Sequence, residues 1–92
     1  MILSFRCAET RELFQTGRSR RFGTTAAVAA RKLAILNAAA SLEFLRSPPG
    51  NRLEALKGNR AGQHSIRIND QFRLCFIWNG SHAEQVEIVD YH

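Results

Sequence analysis

"HSIRINDQFRLCFIW", residues 64–78, decides how the second half of the chain folds. Two β-prone runs, "HSIRI" and "FRLCFIW", flank the turn-rich triplet Asn69, Asp70 and Gln71. Register follows from which pairing builds one apolar face. With all three residues in the loop, Ile68 opposes Phe72 and Ile66 opposes Leu74. With two, Ile66 would oppose Arg73, and a one-residue slip turns every side chain to the other face. The longer loop is therefore predicted.

The next hairpin obeys the same rule. A tight Asn79-Gly80 turn would set Leu74 against Gln85. A loop one or three residues longer lets Leu74 and Phe76 share a face with Val86 and Ile88. "QVEIVDY", residues 85–91, then completes an antiparallel meander.

The first half is helical. "AETRELFQTG" (8–17) carries Glu9 and Glu12 in its first turns and Gly17 as a C-terminal stop. "AAVAARKLAILNAAA" (26–40), capped by Thr24 or Thr25, is rich in strong helix formers. Ala29, Leu33, Leu36 and Ala40 form its apolar stripe, widened by Val28 and Ile35. "MILSF" (1–5) reads as a short strand and "SLEFL" (41–45) as a turn, with Ser47 pushed out of the helical region by Pro48. The expected fold is α+β, with a short first strand and two helices on one face of the meander. Ninety-two residues make a single domain, 1–92, with one core.

This register places Arg67 opposite Arg73 on the face away from the core. Like charges so placed repel, so the pair reads as awaiting an anion, and removing Arg73 should relieve strain. Tyr91 shares the parity of that face and His92 follows it. Nearby, "LKGNRAG" presents Lys57 and Arg60 between Gly58 and Gly62. Its spacing is not that of a nucleotide-binding phosphate loop. The balance of 13 Lys+Arg over 8 Asp+Glu gives +5, and most of the cations are Arg, whose planar fork suits phosphate. A small basic domain is the usual footprint of nucleic-acid binding. Cys7 and Cys75 fit neither a disulfide framework nor a metal-ligand spacing, which points to a reduced, cytoplasmic chain. No stretch reads as a signal peptide or a membrane span.

"LKGNRAGQHSIRINDQFRLCF" and the closing "VEIVDYH" resemble the HigB toxins, a branch of the RelE/ParE toxin superfamily; "SFRCAETRELFQTG" and "LRSPPGNRLEAL" fit the same branch. The resemblance implies a RelE-like fold and the toxin of a type II toxin–antitoxin pair, which enters the ribosomal A site and cuts mRNA. It implies a HigA-type antitoxin with a helix-turn-helix domain, operator DNA contacted only through that antitoxin, and no membrane partner. Lys57, Arg73, Asp90, Tyr91 and His92 fall on the family's active-site positions. Glu54 stands where a histidine often sits, and His64 where an aromatic residue is common.

Cleaving RNA without a metal or other cofactor, neither of which is expected here, requires a base for the 2′-hydroxyl, stabilisation of the phosphorane and an acid for the leaving oxygen. Lys57 and Arg73, with Arg67, suit the second task. His92 suits the acid, favoured as imidazolium by Asp90 and its own carboxylate. Tyr91 orients the phosphate, and the base is left open between Asp90 and Glu54. Arg18, Arg20 and Arg21 are assigned to ribosomal RNA backbone contacts, together with Arg60, His64 and Arg67. The competing readings are a gyrase poison of the ParE kind on the same fold, and a degenerate toxin that binds ribosomes without cutting.

Overall fold

Among the described residues the sheet has four antiparallel strands in chain order: β1 (Glu54–Ala55), β2 (His64–Arg67), β3 (Phe72–Trp78) and β4 (Ala83–Asp90). The computed structural model describes residues 1–47 and 49–90. Ile66 lies opposite Leu74 and Arg67 opposite Arg73, the register expected of a three-residue loop. Asn69 sets that loop. Its Oδ1 accepts from the N–H groups of Gln71 (2.9 Å) and Phe72 (2.8 Å), a side chain standing in for a backbone turn.

The second hairpin has neither of the expected loop lengths, three or five residues, and reaches the shared apolar face in two steps. Trp78 pairs with Ala83, so Asn79 to His82 form a four-residue loop, again organised by an asparagine Oδ1. Continued unbroken, that ladder would set Gln85 against Phe76 in the core. Instead the register shifts between Cys75 and Ile77, and beyond the shift Leu74 pairs with Ile88. Gln85 takes φ +53°, bulges outward and leaves Val86 buried. The N–H of Gln85 donates to Ser4 Oγ (2.9 Å) and that of Val86 to the Ser4 carbonyl (3.1 Å).

Helix α1 (Ala8–Thr16) stops at Gly17, whose left-handed φ of 75° lets its N–H reach the Leu13 carbonyl at 2.8 Å. Helix α2 (Ala26–Ala38) is preceded by a 3₁₀ turn over Gly23–Thr25. Thr25 makes no capping bond; its hydroxyl accepts from Asn69 Nδ2 and ties the helix start to the β2–β3 loop. The apolar stripe is Ala29, Leu33 and Leu36, continued by Ala39 rather than Ala40 because the backbone turns extended at Ala39.

Three expectations about local structure are corrected. "SLEFL" is not a turn but the start of α3 (Leu42–Arg46), capped by Ser41, whose hydroxyl accepts from the Phe44 N–H at 3.3 Å. Ser47 keeps helical angles, since its N–H closes the last turn on the Glu43 carbonyl. The opening segment makes no regular strand. Ile2 and Phe5 form isolated parallel bridges to Ala83 and Val86, shielding the outer edge of β4. Further along that edge the Ile88 N–H donates to the buried Thr10 hydroxyl at 3.1 Å.

The core lies between the helices and one face of the sheet. Leu13, Leu33, Leu36 and Leu45 meet Ile66, Leu74, Phe76, Val86 and Ile88, all at 2% exposure or less. Phe22 abuts Phe72 edge-on at 5.5 Å.

The bulge generates a test. A left-handed residue with a Cβ costs about 1–2 kcal/mol, which glycine avoids at the expense of its greater freedom when unfolded. Gln85→Gly should therefore hold or raise stability by up to about 1 kcal/mol, while Gln85→Val should lower it by about 1–2 kcal/mol. Urea unfolding of the two variants beside the parent measures both.

Candidate active site

The face away from the core carries two rows across the sheet. Glu54, Ser65, Cys75 and Glu87 are successive partners in one; Arg67, Arg73 and Val89 form the next. Arg73 does not stand up from its row. It leans diagonally over β2, with Nε donating to Ser65 Oγ at 2.8 Å and Nη2 to the Arg52 carbonyl at 2.7 Å. Its Nη2 also lies 3.8 Å from a carboxylate oxygen of Glu54. Only 13% of the Arg73 side chain is exposed, against 56% for Glu54.

The expected clash of Arg67 with Arg73 is thereby corrected. The two guanidinium groups diverge to different acceptors, Arg67 pairing with the Asp70 carboxylate. Arg73 is held by the protein rather than waiting in the open, so its removal should cost stability.

Lys57 is exposed and in extended conformation, immediately before the 3₁₀ turn Gly58–Arg60. Gly58 (φ 64°) and Gly62 (φ 92°) supply the left-handed angles that fold this loop back to β2. Arg60 turns inward across the sheet and donates to Glu87 at 2.9 Å and to Gln63 at 3.1 Å. His64 pairs with Phe76, its ring stacked on the phenyl at 6.2 Å, on the face of Ile66 rather than that of Arg73. Asp90 lies opposite Phe72, and strand alternation turns it away from Arg73. Its Oδ2 accepts from Gln71 Nε2 at 3.0 Å. Tyr91 and His92 lie outside the described residues.

Of the basic connector, Arg18 and Arg20 are exposed. Arg21 is exposed too, but is engaged in a surface ion pair. Its Nη1 meets Glu9 at 2.9 Å, and its guanidinium lies 5.1 Å from the Phe22 ring centre, which ties the connector to α1.

Three features escaped sequence reasoning. Ser65 is fully buried on a face expected to be open; the rule that diagonal neighbours interact across strands could have linked it to Arg73. Arg52 takes φ +47°, and nothing in its sequence surroundings announces this. Lys32 reaches from α2 to the buried Asn51, Nζ to Oδ1 at 2.6 Å, while Asn51 Nδ2 donates to the Leu45 carbonyl. Burial, and then the charges of Arg31 and Arg67, hold the Lys32 ammonium below its ordinary value.

No helix among the described residues is long and apolar enough to cross a membrane. Cys7 and Cys75 are not joined in a disulfide among the described residues. Among the described residues no three His, Cys, Asp or Glu side chains converge as a metal-ligand set.

Residues 3–92 match the family of RelE-like toxins of the type II toxin–antitoxin system HigB. The chain is 58% identical over 48 residues to Toxin HigB-1 of Vibrio cholerae serotype O1, covering 52% of this chain and 50% of that protein. It is 37% identical over 59 residues to an uncharacterized protein of Haemophilus influenzae, covering 64% of this chain and 58% of that one. The matched regions thus span about half of each relative's length.

Arg73→Ala would leave the buried Ser65 hydroxyl and the Arg52 carbonyl without their donor. Stability should fall by about 1.5–3 kcal/mol, the usual worth of hydrogen bonds made by a charged group. Thermal and urea unfolding check this; a gain would mean that repulsion from Arg67 outweighs the bonds.

Proposed function

Because the chain belongs to the HigB family of RelE-like type II toxins, we propose that it is a ribosome-dependent, metal-independent endoribonuclease that cuts mRNA and so arrests translation. It acts in the cytoplasm as a single domain, and a HigA-type helix-turn-helix antitoxin neutralises it and carries the pair to operator DNA. The observation that carries this reading is the juxtaposition of Arg73 with Glu54, 3.8 Å apart on the sheet face away from the core.

The chemistry follows from that pair. A guanidinium held in place stabilises charge building on the phosphorane without reorganising at the moment of reaction. Glu54 serves as the base for the 2′-hydroxyl. Asp90, the alternative, pairs opposite Phe72 and hydrogen-bonds Gln71. Lys57, three residues beyond Glu54, adds positive charge at the same edge. His92 protonates the leaving 5′-oxygen and Tyr91 orients the phosphate.

The test is a translation reaction with purified protein, read by mapping 5′ ends of the message. The parent should produce new ends within codons, and Arg73→Ala should cut about 10²–10³-fold more slowly. Glu54→Gln should lose cleavage while still binding ribosomes. Translation arrested with the message intact would favour a non-cutting toxin, and inhibited DNA supercoiling a gyrase poison.

Docking is a separate prediction. Arg18, Arg20 and Arg21 are all exposed, but Arg21 is paired with Glu9. Replacing Arg18 and Arg20 by Gln should weaken ribosome binding and flatten its salt dependence, each lost phosphate contact reducing the slope by about one. The cleavage rate at saturating ribosomes should hold. Arg21→Gln should instead loosen the connector, seen as faster amide exchange over residues 18–22.

A further inference from the structure

Ser65 and the backbone of Arg52 together form an acceptor frame under Arg73. Ser65 sits on the outer face of β2, where a serine would ordinarily meet water, yet it is fully buried. Arg73 lies against it, its Nε donating to Ser65 Oγ at 2.8 Å. Its Nη2 finds the Arg52 carbonyl at 2.7 Å, with the Ser65 carbonyl at 3.5 Å. Acceptors on two different nitrogens fix both the direction and the plane of a guanidinium, which one acceptor cannot do.

The second acceptor is made available by strain. Arg52 is one of only two non-glycine residues with positive φ among those described, at +47°, a conformation costing about 1–2 kcal/mol. The other, Gln85, answers the register of β4. At Arg52 the turn aims a carbonyl at Arg73 immediately before Glu54 enters β1. Strain of this kind persists where surrounding structure over-determines it, and it gathers at functional sites.

We propose that Ser65 is a positioning residue: with the strained Arg52 carbonyl it locks the Arg73 guanidinium in the plane that receives the phosphate of bound RNA. Its ligand class is a phosphodiester or nucleoside monophosphate. The inference rests on Arg73 being the phosphate-binding group of the proposed ribonuclease. Ser65 acts only through Arg73; the fixed plane supplies in advance the orientation that a free arginine would have to find during reaction. A lysine at position 73 has no such plane to fix, so it would not use the frame.

Two measurements test this, one independent of cleavage. In the first, the Arg73 Nε–Hε resonance is followed by ¹H–¹⁵N NMR while uridine 3′-monophosphate is added. In the parent, Hε should exchange slowly with solvent and shift saturably with the nucleotide. In Ser65→Ala, exchange should accelerate and nucleotide affinity fall about tenfold, with folding intact by amide spectra. Ser65→Thr, which keeps the hydroxyl, should restore slow exchange. Unchanged Hε exchange in Ser65→Ala, or unchanged affinity, overturns the proposal, as does a parent that binds no nucleotide.

In the second, single-turnover mRNA cleavage is measured at saturating ribosomes. Ser65→Ala should slow it about 10–100-fold, and the Ser65→Ala/Arg73→Ala double variant should cut no more slowly than Arg73→Ala alone. Additive losses would assign Ser65 a role separate from Arg73 and overturn the proposal. A parent that fails to cleave would refute the ribonuclease reading, while the NMR experiment would still decide whether Ser65 positions Arg73 toward a phosphate.

Discussion

The pairing of Ile66 with Leu74 is the constraint on which the rest of the sheet depends. Once those two residues face the helices, alternation sends Ser65 and Arg67 to the other side, along with Arg73 and Cys75. The apolar face thus assembles the polar one. A slip by one residue would expose Ile66 and bury an arginine, a loss of several kcal/mol on the apolar side alone. The hydrophobic effect, which has no preference for arginine, is what puts Arg73 on the polar face.

Two backbone departures serve different ends. Gln85 accepts a left-handed conformation so that a four-residue loop and a core strand can share one ladder, and Ser4 receives the N–H groups that the bulge releases. Arg52 accepts one and supplies a carbonyl to Arg73. The first maintains packing, and the second shapes the polar face. Both lie where a β-ladder is interrupted or about to begin, the places where a backbone has room to bend.

Electrostatics divides the cations by the same geometry. Arg21, Arg60, Arg67 and Arg73 each meet a carboxylate: Glu9, Glu87, Asp70 and Glu54. Arg60–Glu87 is the more enclosed of these and lies over the row that contains Cys75. Arg18, Arg20 and Lys57 project from loops. Arg11 and Arg31 add exposed positive charge on the helices, while the middle of the polar face carries paired charges. Compensation by a carboxylate as exposed as Glu54 is weak in water and yields readily to a better anion.

The sequence by itself determined what depends on period and on turn chemistry: the α1 stop at Gly17, the span of β3, the three-residue loop at Asn69, and the opposition of Arg67 to Arg73. These follow from near neighbours and from which side chains avoid water, information that a single chain carries openly. Resemblance to a toxin family also singled out Lys57 and Arg73 as expected active-site positions, and Glu54 where a histidine often sits. Only the tertiary structure decided where Arg73 directs its donors, because Ser65, Arg52 and Glu54 lie 8 to 21 residues away in sequence and meet it through strand pairing and a left-handed turn. Likewise, only the fold brought His64 onto the Phe76 ring and Asp90 to the Gln71 amide. Direction of a side chain is settled by the partners that a fold brings to it, and those partners have no signature at the residue itself.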